Sequence, residues 1–220
     1  MDNQDFVFVK ARKHFCLLMM SIGNPVGSKD VLKNLLTCYT EQTRYYHSLS
    51  HIISMLDEFE EVSALSNNPH AVKMAIWYHD AVQEFEASDV SNEEKSAMLA
   101  ERQLLNLGQD AKFITKVSNL VRATGHEGCT NDIDTQILLD LDLAILGRSQ
   151  EEFDAYENNI RKEYYHVDES LYRKERLKVL KKFLTRQTLY FTPFFGERYD
   201  KQARSNLERS IQKLSSCSVV

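Results

Sequence analysis

The sequence has few residues that interrupt helices, since its 220 residues include only 7 Gly and 3 Pro. A β-sandwich or a doubly wound sheet needs a turn about every ten residues, and Gly or Pro marks most such turns. Long stretches of this chain contain neither residue, which excludes those folds and predicts an all-α protein. At ~100 to 200 residues per domain, the length predicts a single domain over residues 1–220.

Cysteines and long apolar runs are also scarce. The four cysteines stand far apart at positions 16, 38, 129 and 217, with no CxxC pair. This spacing fits neither a zinc knuckle nor a disulfide framework, so we expect reduced thiols. The apolar run from Cys16 to Met20 is too short for a signal peptide or a membrane span. These absences predict a cytoplasmic protein without a membrane partner.

No excess of positive charge is present. Lys and Arg number 27 against 32 Asp and Glu, which gives a net charge of -5, and the basic residues are dispersed along the chain. A protein that binds duplex nucleic acid neutralises many phosphates with a concentrated basic face. The sequence therefore predicts no duplex nucleic acid partner.

Helical spacing of apolar residues recurs along the chain and predicts about ten helices. The first ends before the turn Gly23-Asn24-Pro25, the second is capped by Ser28, and the fourth runs over 69–85. The others are predicted over 49–62, 91–107, 110–121 and 133–147, and from Gln150, Ser170 and Glu197. No repeat or linker divides the chain, which predicts one helical bundle.

A His-Asp pair interrupts the most apolar helix, MAIWYHDAV, at His79 and Asp80. An ionised carboxylate in an apolar helix costs several kcal/mol unless it is paired or bound to a metal. Taken alone, the pair is more typical of a core histidine beside a capping aspartate. A second apolar helix, ILLDLDLAIL, contains Asp140 and Asp142. Side chains two residues apart on a helix point ~200° apart, so only one of them can face a given site.

Two histidines, His47 and His51, are four residues apart in RYYHSLSHIISML. This spacing predicts that both lie on one helical face, ~5 to 6 Å apart. Such a pair suits a metal ligand beside a proton-transfer group, or two ligands, or simply an exposed face. Together with His79, Asp80 and one aspartate of the later helix, it supplies imidazoles and carboxylates for one divalent cation. Mixed nitrogen and oxygen ligands suit Mn, Fe, Co, Ni, Zn or Mg.

In these motifs the chain resembles the HD-domain superfamily of metal-dependent phosphohydrolases, and in particular the bacterial family of predicted HD phosphohydrolases. The resemblance extends from about Leu35 to Leu214. The matching segments are YHSLSHI at 46–52, WYHDAV at 77–82, NEEKSA at 92–97, TGH at 124–126, DLDLAILG at 140–147, RKEY at 161–164 and ARSNL at 203–207. The resemblance implies an HD-domain bundle with a core over roughly 35–190, on which the terminal helices pack.

The resemblance also implies roles for these residues. His51, His79, Asp80 and Asp142 become metal ligands, with Asp142 preferred to Asp140 because Asp142-Leu143 aligns better with the superfamily's apolar-Ala-Asp-x-Leu segment. The first motif is similar to YHNxxHA of cyclic-nucleotide phosphodiesterases, which makes His47 the proton donor to the leaving oxygen. Asp80 orients the attacking water.

Other residues of the family pattern receive supporting roles. Glu93 is a possible base, His126 a ligand for a second ion or a contact to phosphate, and Arg161 and Arg176 are contacts to substrate phosphate. A structural explanation stands beside each of these assignments. Glu93 lies in a capping-box sequence, and an arginine on an amphipathic helix is more often solvated.

The implied function is hydrolysis of a small phosphate ester, most of all a nucleotide, with one or two divalent ions. Two alternatives stay open: an HD-fold di-iron oxygenase, and a non-catalytic metal-stabilised binding or regulatory protein. The substrate, the native metal and the choice between monomer and dimer are not decided by the sequence.

Overall fold

Helices account for all the regular secondary structure of the described residues. The computed structural model describes residues 3–24, 27–85, 88–126, 128 and 130–216, and the side chains of 5–216 within these ranges. Short 3-10 helices follow two of the α-helices, at Ser63–Leu65 and Ala144–Gly147. The α-helices in this part of the chain are α1 Asn3–Ser21, α2 Ser28–Tyr39, α3 Leu49–Val62, α4 Pro69–Tyr78, α5 Asn92–Asn106, α6 Ala111–Ala123, α7 Ile133–Leu143, α8 Gln150–Glu163, α9 Glu169–Leu184 and α10 Pro193–Ser216. The predicted all-α class is confirmed.

The chain forms two compact units, Met1–Leu139 and Asp140–Val220. The division falls within α7, so that Asp140 and Asp142 belong to the second unit. The single domain over residues 1–220 stays a prediction.

Helix α4 lies at the centre of the first unit. Its residues from Ala71 to Tyr78 are buried with the exception of Lys73. Packed against α4 are α1, α3, α5 and α6, and the Trp77 ring meets the Phe15 ring of α1 edge-on at 5.2 Å. The apolar character of α4 on nearly all sides therefore reflects a position surrounded by other helices.

The second unit packs α10 against α9 and against the 3-10 turn after α7. Gly147, where the seventh predicted helix ends, is the last residue of this turn and has no positive φ. A Cβ on Gly147 would lie 2.4 Å from the Cβ of Tyr199, so close packing against α10 requires the glycine. Asn206 of α10 donates to the carbonyls of Leu146 at 2.9 Å and Arg148 at 3.0 Å, which holds the turn in place.

Several helix ends differ from the prediction. Helix α4 stops at Tyr78 rather than at 85, because the residues after it bond to α5, through Val82 to the Ser96 hydroxyl and through Glu84 to the Asn92 side chain. Helix α10 begins at Pro193, four residues before Glu197. Proline is favoured at the first helical position because its missing N–H is not needed there. Ser28 is the first residue of α2, and Gly27 is the N-cap.

In the described part of the chain, no helix is long and apolar enough to cross a membrane. Cys16 and Cys38 are free thiols, as predicted. Cys129 and Cys217 lie outside the described residues, as does Pro25 of the first predicted turn.

Candidate metal centre

The end of helix α4 positions His79 and Asp80. His79 is the C-cap of α4 and is buried, and Asp80 follows it in the turn. The two residues were predicted inside a longer helix, where they would point in different directions. Because the helix ends at Tyr78, the Asp80 carboxylate instead bends back, and its Oδ2 lies 3.0 Å from Nε2 of His79.

The other ring nitrogen of His79 is bonded to the end of helix α4. Nδ1 lies 3.0 Å from the carbonyl oxygen of Ile76, one of the last carbonyls of α4. A carbonyl only accepts hydrogen bonds, so Nδ1 donates to it, and Nε2 faces the Asp80 carboxylate. Nε2 of a charged ring would pair with this carboxylate through a proton, whereas Nε2 of a neutral ring would present a lone pair that a metal ion can accept. An Nδ1–H to carbonyl bond is typical of metal-binding histidines.

His51 brings a second imidazole to the same place from α3. It is buried in the first turns of that helix, and its Nε2 lies 3.8 Å from Oδ2 of Asp80. The rings of His51 and His79 meet edge-on with their centroids 5.3 Å apart. Three ligand atoms, from His51, His79 and Asp80, thus lie within 4.8 Å of one another.

Asp142, the fourth predicted ligand, belongs to the second unit, and its place in the metal site stays a prediction. Two imidazole nitrogens and the Asp80 carboxylate form a donor set that first-row divalent ions accept. The chemistry of His51, His79 and Asp80 therefore fits a metal ion.

Asp140 has a structural role. It is fully buried, and its Oδ1 accepts from the backbone N–H of Phe191 at 2.7 Å. Its Oδ2 accepts from the backbone N–H and the hydroxyl of Thr192, at 2.8 and 2.7 Å. Asp140 thereby fixes the segment that leads into α10. The spacing of the two aspartates predicted that only one of them can face a given site. Asp140 is bonded to residues 191 and 192.

Asp142 has a different environment within the second unit. It lies in the last turn of α7 and is half-buried. The charge of Asp142 acts on Tyr156. Burial raises the pKa of Tyr156, and the negative charge of Asp142 contributes to the rise, whereas the Arg176 guanidinium lowers the pKa.

His47 does not lie on a helical face, contrary to the prediction. Helix α3 begins at Leu49 with Ser48 as its N-cap, so His47 precedes the helix. Its ring is nevertheless near His51, with centroids 6.3 Å apart and planes almost perpendicular. The Tyr46 ring lies beside both, 5.0 Å from the ring of His47 and 4.8 Å from that of His51. His47 is half-buried, whereas His51 is buried, which suits a proton donor beside a ligand.

Arg44 is a site residue that the sequence analysis missed. Its buried guanidinium donates to the carbonyls of Asp80 at 2.6 Å, Ala81 at 3.1 Å and His47 at 3.1 Å. It also lies over the Tyr39 ring, 5.3 Å from the centroid. Arg44 thus ties the His-Asp segment to the segment before α3. In the sequence it is one arginine among polar residues, and no local pattern marks it as buried.

Glu93 does not belong to a capping box. Ser91 caps α5 by accepting from the N–H of Glu94, which is therefore the residue at the third helical position. The Glu94 carboxylate binds Arg122 of α6 at 2.6 and 2.8 Å, so the box is not closed. Glu93 lies next to the turn after α6, because a Cβ on Gly125 would be 4.0 Å from its carboxylate carbon. Its catalytic role stays a prediction.

His126 follows α6 and has a φ of 53°, in the left-handed region that few residues other than glycine adopt. It is half-buried, and among the described residues it is not grouped with His51, His79 and Asp80. A second ion at His126 stays a prediction. Its neighbours Glu127 and Cys129 lie outside the described residues.

The two predicted phosphate contacts serve the packing of α8 and α9. Arg161 donates to Glu169 at 2.9 Å and to the carbonyls of Tyr164 and Val167, which joins the end of α8 to the start of α9. Arg176 donates to the hydroxyl of Tyr156 at 2.8 Å and pairs with Glu157. Binding of phosphate by either arginine stays a prediction.

Comparisons with known proteins identify no relative. No protein-family model matches the chain, and neither a curated protein nor a solved structure is significantly similar to it.

Proposed function

We propose that the protein is a metal-dependent phosphohydrolase that acts on a small phosphate ester, in particular a nucleotide. The observation that supports this most is the 3.0 Å approach of Nε2 of His79 to Oδ2 of Asp80, with Nε2 of His51 beside them. An imidazole nitrogen and a carboxylate oxygen at this distance can bind one divalent ion together. The resemblance of the motifs around these residues to HD phosphohydrolases points to a phosphate ester as substrate.

The proposed ligands are His51, His79 and Asp80 of the first unit, and Asp142 of the second. A bound divalent ion would lower the pKa of a water molecule and neutralise phosphoryl oxygens. Asp80 has a second carboxylate oxygen, which can accept a hydrogen bond from the attacking water and orient it.

His47 is the proposed proton donor to the leaving oxygen. Its ring centroid lies 6.3 Å from that of His51, and its half-buried position leaves it accessible to a substrate. Arg44 holds the carbonyls of His47 and Asp80 at once, so the proton donor and the carboxylate are fixed relative to each other. Such fixed geometry favours proton transfer in the transition state.

The first experiment is metal analysis of the purified protein for Mn, Fe, Co, Ni, Zn and Mg. A screen for phosphate release then covers nucleoside monophosphates and triphosphates, cyclic nucleotides and non-nucleotide esters. We expect metal-dependent release from a nucleotide, and its loss in Asp80→Asn. Asp30→Asn, an exposed aspartate in the first turn of α2, is the matched control.

Two results would contradict the proposal. Bound metal without release from any ester would favour a binding or regulatory protein. Two irons with oxygen uptake would favour an oxygenase.

A further inference from the structure

Helix α1 has an apolar inner face that packs in the first unit, where the helix contacts α2, α3 and α4. The buried apolar residues of this face are Ala11, Phe15, Leu18 and Met19. They follow one another at the spacing i, i+4, i+7 and i+8, which is typical of a helix that packs on one side. Such a helix normally has polar residues on its other side.

The outer face of α1 is also apolar, although it is exposed. Its four large apolar residues, each between 55% and 61% exposed, are Phe6, Val9, Leu17 and Met20. Because successive helical residues are turned by ~100°, these four lie within a sector of ~80°, opposite the buried face. We call them the outer stripe. Single exposed apolar residues are common on protein surfaces, whereas several that adjoin mark an interaction surface.

The charges at the outer stripe are mostly positive. Lys13 lies within the same sector, between Val9 and Leu17, and Arg12 lies at its margin. Both are exposed, and neither makes an ion pair with a described residue. Asp5, at the N-terminal end, is the only carboxylate of α1. The outer face therefore combines apolar side chains with two unpaired cations.

A second copy of the chain is a poor partner for this face. From Phe6 to Met20 the stripe is ~21 Å long, and on a helix ~10 Å wide it covers roughly 200 Å². A stable protein interface buries ~800 Å² on each partner. Two copies of α1 that pair in parallel, or antiparallel about the centre of the stripe, would also place Lys13 against Lys13. Like charges in contact oppose association.

An anionic bilayer surface supplies both of the contacts that the outer face offers. A helix at such a surface inserts its apolar side chains ~5 to 10 Å into the boundary between head groups and acyl chains. Its Lys and Arg side chains extend to the lipid phosphates. We propose that the outer stripe of α1 inserts into a bilayer that contains anionic phospholipids, with Lys13 and Arg12 at the phosphates.

This attachment is peripheral, and it is separate from the proposed phosphohydrolase function and does not depend on it. The sequence analysis predicted no membrane partner because the chain lacks an apolar run long enough to span a bilayer. A stripe at helical spacing needs no such run. Its exposure was decided by the packing of α1, which covers only the inner face.

The test is cosedimentation of the full chain with vesicles. One vesicle contains two parts of phosphatidylcholine and one part of phosphatidylglycerol, and the other contains phosphatidylcholine alone. We expect saturable binding to the first and binding about tenfold weaker to the second, because each cation near an anionic surface contributes about fivefold. The net charge of -5 disfavours general attraction to anionic vesicles, so binding requires a local basic and apolar face.

The double variant Phe6→Gln with Met20→Gln removes the two ends of the stripe. Glutamine is a helix former comparable to methionine, and both positions are exposed, so the fold should be retained. Binding to the anionic vesicles should fall about tenfold or more, because less apolar surface is inserted. Leu105→Gln is the matched control, since Leu105 of α5 is 68% exposed, and it should bind as the wild type does.

A second pair of variants tests the charge. Lys13→Gln should weaken binding about fivefold, since it removes one cation from the stripe. Lys112→Gln, which changes an exposed lysine in the first turn of α6, should have no effect.

Three outcomes would overturn the proposal. The first is the absence of binding to the anionic vesicles. The second is binding that the double variant retains in full, which would place the contact elsewhere on the surface. The third is a dimer in sedimentation velocity that the double variant dissociates, which would make the stripe an interface between two copies. Circular dichroism of each variant checks that the helices are intact.

Discussion

Nε2 of His79 and Oδ2 of Asp80 lie 3.0 Å apart across the end of helix α4, with the ring fixed by its Nδ1–H bond to Ile76. Consecutive residues rarely offer two ligand atoms to one ion from within a helix, because their side chains point ~100° apart. The end of α4 at Tyr78 makes this arrangement possible.

The approach of these two atoms predicts that Asp80 serves metal binding more than folding. In the metal-free protein, Asp80→Asn should change the free energy of unfolding by less than ~1 kcal/mol, because the amide keeps the shape of the carboxylate and can donate to Nε2 of a neutral His79. Trp77→Ala should cost ~3 to 5 kcal/mol, because it removes a fully buried ring. Urea denaturation followed by circular dichroism measures both. A large loss in Asp80→Asn with a mild effect of Trp77→Ala would mean that the His-Asp pair is structural.

Replacing His47 and replacing His51 should have different effects on metal occupancy and on turnover. His51→Ala should lower metal occupancy, because an imidazole lost from a small site is rarely replaced. His47→Ala should keep the metal and slow turnover by ~10² to 10⁴ on esters with poor leaving groups. The loss should be smaller for an activated aryl phosphate, which needs little protonation. Loss of metal in His47→Ala would make His47 a ligand instead.

Replacing Asp140 should lower stability, whereas replacing Asp142 should lower metal affinity. Asp140→Ala should lower the free energy of unfolding by ~3 kcal/mol or more, because it leaves the donors of Phe191 and Thr192 without their acceptor. Asp142→Ala should retain the stability and lose affinity for the metal. Thermal unfolding and isothermal titration with Mn²⁺ compare the two variants. A normal metal affinity in Asp142→Ala would exclude it as a ligand.

Arg44 should affect metal binding without touching the ion. Arg44→Leu removes the bonds to the carbonyls of His47, Asp80 and Ala81, so it should weaken metal affinity by ~10- to 100-fold. Arg12→Leu, an exposed arginine of α1, is the matched control. We expect Arg44→Lys not to restore the metal affinity, because the contact with three carbonyls requires the guanidinium. Restored affinity in Arg44→Lys would show that the positive charge suffices.

The lowered pKa of Asp134 predicts that the stability of the fold depends on pH. Burial alone would raise its pKa, but the bonds from Ser66, Lys116 and the N–H of Asn68 outweigh burial and hold the pKa below its ordinary value. A carboxyl with a lowered folded pKa stabilises the fold at neutral pH, and this contribution is lost as the pH falls below ~4 toward the folded pKa. Asp134→Asn should unfold more easily at pH 7 and show a smaller decline in acid. Equal declines in both proteins would assign the acid sensitivity to other groups.

The helices could be predicted from the sequence because their periodicity is local. Spacing of three and four residues marked α1, α3 and α5, and the scarcity of Gly and Pro excluded sheets. The ends of helices were less predictable. MAIWYHDAV gives no local sign that the helix stops at Tyr78, since the bonds of the following segment to α5 end it there.

For the candidate site, the sequence by itself determined which residue types are available: two imidazoles, a His-Asp pair and two aspartates on an apolar helix. The tertiary structure decided which of them come together and which are bonded elsewhere. Asp140 is hydrogen-bonded because residues 191 and 192, some fifty positions later in the chain, approach its carboxylate. Arg44 is buried because the segment before α3 packs against the turn that follows α4. Such choices depend on contacts between distant segments, whose distances a local pattern does not encode.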